Sequence, residues 1–179
     1  MQTQRYDRVA VMLHWLIAIA LLAQIAFGFA LDDLAPRNTP ARAATINLHK
    51  SVGIVIGIFI LARLAWRMRH RPPAFPGTMA GWQQSAARAG HVALYACMLV
   101  QPLSGYIGSN FSKHGVKFFG APLPPWGPDL PGVYALFNGI HIACAWVFSL
   151  LIAGHVLVAI KHALDRDGVF ARMWPSGAN

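Results

Sequence analysis

The residues of this chain best suited to chemistry are histidines. There are eight, and five of them (His14, His49, His91, His141 and His155) fall in or at the ends of long apolar runs. A histidine inside a membrane-length segment is costly to bury and marks a functional site by default. His141 and His155 are fourteen residues apart in one run. That is nearly four helical turns, so both leave the same face, about 21 Å apart along the axis. His14 lies about six residues into the first run and His49 opens the second. If successive runs cross a membrane in alternating directions, His14 shares a depth with His155, and His49 with His141. Two imidazoles facing each other at one depth form the donor set of a bis-histidine haem iron in a bundle core. Glycines stand on the same faces. Gly53 and Gly57 follow His49 at i+4 and i+8, Gly28 lies fourteen residues after His14, and Gly154 adjoins His155. They make room either for a flat cofactor or for close helix packing.

Other metals suit the pattern less well. Zinc and non-haem iron recruit carboxylates or thiolates, and no Asp or Glu lies inside any apolar run. A proton pump or transporter would also show intramembrane carboxylates. Cys97 and Cys144 form neither CxxC nor CxxCH, which excludes covalent haem attachment; they read as small buried hydrophobes. His91 opens the third run at the depth of His14 and His155. It can replace one of them as a ligand, bond a haem propionate or line a quinone pocket. His162 reads as an interfacial group or a proton relay. His70 and His114 are loop residues. Lys50, and Arg63, Arg67 and Arg88 at the opposite side, are candidate propionate partners.

The elements that must position these groups follow from composition. The 179 residues are 56% hydrophobic and 12% charged, with a formal charge of +9. Soluble domains carry about 25% charged residues. This balance excludes a disordered tail, a disulfide scaffold and a typical cytosolic enzyme. It also argues against a nucleic-acid binder, whose basic face sits on a soluble domain. Four spans are expected, over about 9–31, 48–66, 91–107 and 134–164, each long enough for the ~30 Å hydrocarbon core. The first is too long for a signal-peptide core and reads as retained. Pro102 is expected to kink the third span, and residues 79–88 to lie as a short amphipathic helix on the surface. The five-proline stretch from Gly108 to Gly132 reads as irregular, with Phe118, Phe119 and Trp126 capping a haem or anchoring in the interface. Ten Lys and Arg fall on the side of the termini and five on the other, which places both termini in the cytoplasm. The expected fold is all-α: one integral membrane four-helix bundle over residues 1–179, with haem in its core.

In this register the chain resembles the prokaryotic cytochrome b561 family, the four-helix dihaem membrane proteins. The matching elements are RYDRVAVMLHW around His14, LHKSVGI around His49, ARAGHVALY around His91, NGIHIACAW around His141, the GH at His155, and the tail DRDGVFARMWP. The resemblance implies two b-type haems with axial ligands at His14, His49, His141 and His155, in agreement with the depth argument. It implies a bacterial inner-membrane protein that passes electrons between a periplasmic donor and the quinone pool, with ubiquinone as acceptor. One branch of the family oxidises superoxide, and the outer cations Arg42, Lys50, Lys113 and Lys117 would draw in such an anion. The alternatives are a cytochrome subunit of a larger dehydrogenase or hydrogenase, and a non-redox membrane scaffold or ion pathway.

Overall fold

A computed structural model of the chain describes residues 5–175 except 78; the first four and last four residues of the expected domain lie outside these. Among the described residues, four helices are long and apolar enough to cross a membrane: α1 (Arg8–Phe29), α3 (Pro40–Arg69), α4 (Gly81–Asn110) and α5 (Pro131–Asp165). A single turn, α2 (Leu31–Leu34), follows α1. Three of the long helices outrun the expected spans. Pro40 occupies the first turn of α3, where its missing N–H costs nothing. His49 therefore lies more than two turns inside α3 and does not open it. The expected surface helix at 79–88 is instead the first part of α4: nothing between Ala80 and His91 breaks the helix, and the Gln83 side chain accepts from the Ala80 N–H at 2.9 Å. Helix α4 continues through Pro102. Helix α5 stops at Arg166, which takes the left-handed conformation at φ 53°.

The long proline-rich stretch is more ordered than its composition suggests. Strands β1 (Val116–Phe118) and β2 (Ala121–Leu123) pair antiparallel, with Phe118 opposite Ala121. Phe119 and Gly120 form the two-residue turn with φ of 46° and 95°, the geometry that matches hairpin twist. The hairpin is clasped to α3 by Ser51, which is fully buried. The Ser51 hydroxyl accepts from the Phe119 N–H at 2.9 Å and lies 2.7 Å from the Asn47 carbonyl and 3.1 Å from that of Lys117. Ser51→Ala leaves the Phe119 amide without its partner, at a cost of about 1–3 kcal/mol. The expected result is a lower unfolding temperature in detergent and faster amide exchange confined to residues 116–123.

Packing is uneven. Helices α4 and α5 are the most closely packed pair, followed by α1 with α3 and α3 with α4; the backbones of α1 and α5, and of α3 and α5, approach much more loosely. Gly108 contributes to the tight seam, because a Cβ there would lie 3.1 Å from Phe137. Cys97 and Cys144 meet across the same seam, half-buried, the Cys144 thiol 3.9 Å from the Cys97 carbonyl. The core proper is small: Leu13, Ile17, Leu21, Ile56, Ile60, Met98 and Phe148. Most large apolar side chains face outward, as lipid contact requires.

At the end bearing Arg8 and Asp165, the tail folds back as a 3-10 turn over Phe170–Arg172. Trp15 donates its indole N–H to the Met173 carbonyl at 2.7 Å and packs edge-on against Trp174. Arg172, almost fully buried, donates to the Ala74 carbonyl at 2.8 Å. The His-Trp element of α1 and the Arg-Met-Trp tail are thus two halves of one contact, which fixes α1 at the level of His14.

Candidate haem sites

The histidines meet across the bundle at two levels. His49 of α3 faces His141 of α5 with ring centroids 6.2 Å apart. Toward the other end, His14 of α1 faces His155 of α5, also at 6.2 Å. His91 of α4 approaches the same His155, at 5.9 Å. Two in-line metal–nitrogen bonds of about 2 Å, plus about 1 Å from each nitrogen to its ring centre, put imidazole centroids about 6 Å apart. Each of these spacings therefore suits an iron held between two imidazoles.

Packing separates the His155 partners. His91 and His155 lie on α4 and α5, which over their whole length are the most closely packed pair. The pairs His14–His155 and His49–His141 both bridge helices whose backbones stand apart.

The surroundings of the second pair are built around the rings. A Cβ on Gly105 would lie 3.0 Å from His141 Cε1 and Nδ1, and one on Gly28 would lie 3.1 Å from His49 Cε1. A Cβ at either position would press the ring to move by a few tenths of an ångström. His141 Nδ1 donates to the Gln101 backbone carbonyl at 2.8 Å. A carbonyl only accepts, so the proton is on Nδ1 and the Nε2 lone pair is available to a metal. The Gln101 side-chain amide donates to that Nε2 at 3.2 Å, and its own Oε1 is buried without a partner. A metal at Nε2 would displace this amide and free Gln101 to turn. On the other ring, the Gln24 amide sits 2.6 Å from the His49 carbonyl and 3.1 Å from His49 Nδ1. Here Nδ1 accepts, so ligation through Nε2 requires the other tautomer and a turn of Gln24.

The other sequence candidates have definite places. Lys50 donates to the Gly115 carbonyl at 2.8 Å and so helps to hold the hairpin. Arg63 donates to the Ala10 carbonyl at 2.9 Å, and Arg67 lies over the Tyr95 ring. Arg88 lies over Phe75. Trp126 packs edge-on against Phe111. Gly53 and Gly57 face Gln24 and Pro102 and serve helix contact, while Gly154 has open space around it. His162 bonds Asp167 at 2.5 Å. Burial alone would raise the Asp167 carboxyl, but the Val169 amide and His162 hold it below the usual carboxylate range. Gln101, Gly105 and Ser104 were not singled out from sequence. The available signal was the spacing of Gln101 and Gly105, four residues apart in an apolar run and thus on one helix face.

Four membrane-length helices with imidazoles facing one another across the bundle define a class, the membrane cytochromes of the b type. The chain belongs to the prokaryotic cytochrome b561 family, which it matches over residues 5–176. It is similar to cytochrome b561 homolog 2 of Escherichia coli (strain K12), with 31% identity over 172 residues, covering 95% of this chain and 91% of that protein. It is a multi-pass membrane protein that binds haem b and works in electron transfer.

Proposed function

We propose that the chain binds two haems, one between His49 and His141 and one between His14 and His155, and carries electrons from a periplasmic donor to the quinone pool of the bacterial inner membrane. The observation that supports this best is the pairing itself: two facing imidazole pairs at 6.2 Å, at opposite ends of the bundle and on the loosely packed helix pairs. When bound, the haems supply one-electron ferric–ferrous chemistry. The protein would supply the imidazoles that hold them, burial and orientation. His141 is held by its bond to Gln101, and His49 is backed by Gly28. The Lys and Arg count puts both termini in the cytoplasm and the His49–His141 pair toward the periplasm.

The donor side is defined by charge. Of the four cations expected to draw in an anion, Arg42 is paired with Asp32 at 2.6 Å and Lys50 is bonded to the hairpin. Lys113 and Lys117 remain exposed on the same side and form the attractive field for superoxide or for an acidic donor protein. The test is a reduced-minus-oxidised spectrum with haem quantitation, followed by quinone reduction in vesicles driven by superoxide. About two b-type haems per chain and quinone reduction by the isolated protein are expected. One haem per chain would refute the pairing. Two haems without superoxide-driven reduction would transfer the donor role to a partner subunit.

A further inference from the structure

We infer that the terminal end of the bundle carries a binding site for the phosphate of an anionic phospholipid. A cavity of about 590 Å³ opens there between the start of α1, the end of α3 and the side of α4. Its wall holds Arg63, Arg67, Arg69 and Arg71, and among the described residues none of these four is paired with a carboxylate. The one acid in the wall, Asp7, is already engaged: its Oδ1 accepts from the Ala10 N–H at 2.9 Å and from the Trp66 indole at 3.0 Å. Arg63 borders the proposed His14–His155 site, and the exposed rim arginines Arg69 and Arg71 are left for an outside anion. Two of its guanidinium groups are held in place, Arg63 by the Ala10 carbonyl and Arg67 over Tyr95, and Trp66 stacks flat on His70 at 3.9 Å.

The cavity lies where membrane-spanning helices end. Val92 and Leu103 of α4, both more than half exposed, lie on the side of that helix that carries the cavity-lining Tyr95, so an acyl chain has an apolar surface beside the headgroup cavity. A basic pocket between helix ends at the membrane surface, bordered by aromatic rings, is the arrangement that retains anionic lipid. A soluble phosphate compound would use the arginines but not the apolar face beside them.

The test compares phosphatidylglycerol with phosphatidylcholine for retention on the purified haem-loaded protein by native mass spectrometry. Arg69→Gln/Arg71→Gln, both at the exposed rim, is the variant; Lys113→Gln/Lys117→Gln at the opposite end is the control for diffuse charge. The wild type is expected to prefer phosphatidylglycerol, with the preference falling about thirtyfold in the rim variant. The control should keep the preference, and the rim variant should keep its haem spectrum. Equal retention of the two lipids, an equal loss in the control, or competition by inorganic phosphate at millimolar concentration would overturn the proposal. So would loss of haem from the rim variant with lipid preference intact, which would reassign these arginines to the haem propionates.

Discussion

His141→Ala is expected to lower haem content from two per chain to one and to stop electron delivery from the outer side. The proposed pair loses one of its two imidazoles, which leaves His49 alone to hold the group on that side. A ligand bound at a thousand times its dissociation constant contributes about 4 kcal/mol to stability, so the variant should also unfold at a lower temperature. His155→Ala should remove the other haem, leaving a spectrum complementary to that of His141→Ala. The two variants together separate the spectral components by depth. The choice between His14 and His91 is tested in the same way. His14→Ala should lose the inner haem and His91→Ala should keep it, because His14 and His155 bridge a loosely packed helix pair and His91 and His155 a closely packed one. Haem quantitation and low-temperature difference spectra provide the readout. Retention of the inner haem in His14→Ala together with its loss in His91→Ala would make His91 the partner of His155.

Gly105→Val is expected to expel the outer haem with all four proposed ligands in place. A Cβ at this position would lie 3.0 Å from two atoms of the His141 ring. The ring cannot simply slide away, because its Nδ1 is bonded to Gln101 and has Ser104 Oγ at 3.4 Å. Forcing a branched side chain into such a contact costs about 1–3 kcal/mol and shifts the ring, and a displaced ring would no longer face His49 at the 6.2 Å that suits an iron between them. Gly105→Ala should weaken haem retention by a smaller margin. Gly154→Ala is the internal comparison: it adjoins a proposed ligand but meets nothing within 4 Å, so haem content should not change. Equal haem loss at Gly105 and Gly154 would mean that helix stability, and not the ring cradle, governs retention.

Much of this architecture was legible in the residues. Long uncharged runs can satisfy their backbone in lipid only as helices, so the four spans followed from composition and length. The fourteen-residue interval between His141 and His155 put both on one face of one helix, because helical geometry is local. What could not be read was anything set by contacts between elements. The helix ends at Pro40 and Gly81 lie beyond the apolar runs, where hydropathy is silent. The 116–123 hairpin depends on Ser51, far away in sequence, to hold it. The pairing of the His-Trp element with the tail required α1 and the chain end to meet.

By itself, the sequence determined that the protein carries four runs long and apolar enough to cross a membrane, with histidines toward both ends of the last, since both properties follow from local periodicity and the cost of burial. Only the tertiary structure decided how the helices are grouped. Glycines at 105 and 108 let α4 close on α5, while α1 and α3 stand off from α5 with histidine rings between them. Which imidazoles can hold a broad flat group between them depends on the distance between helix backbones, and no single helix encodes that distance.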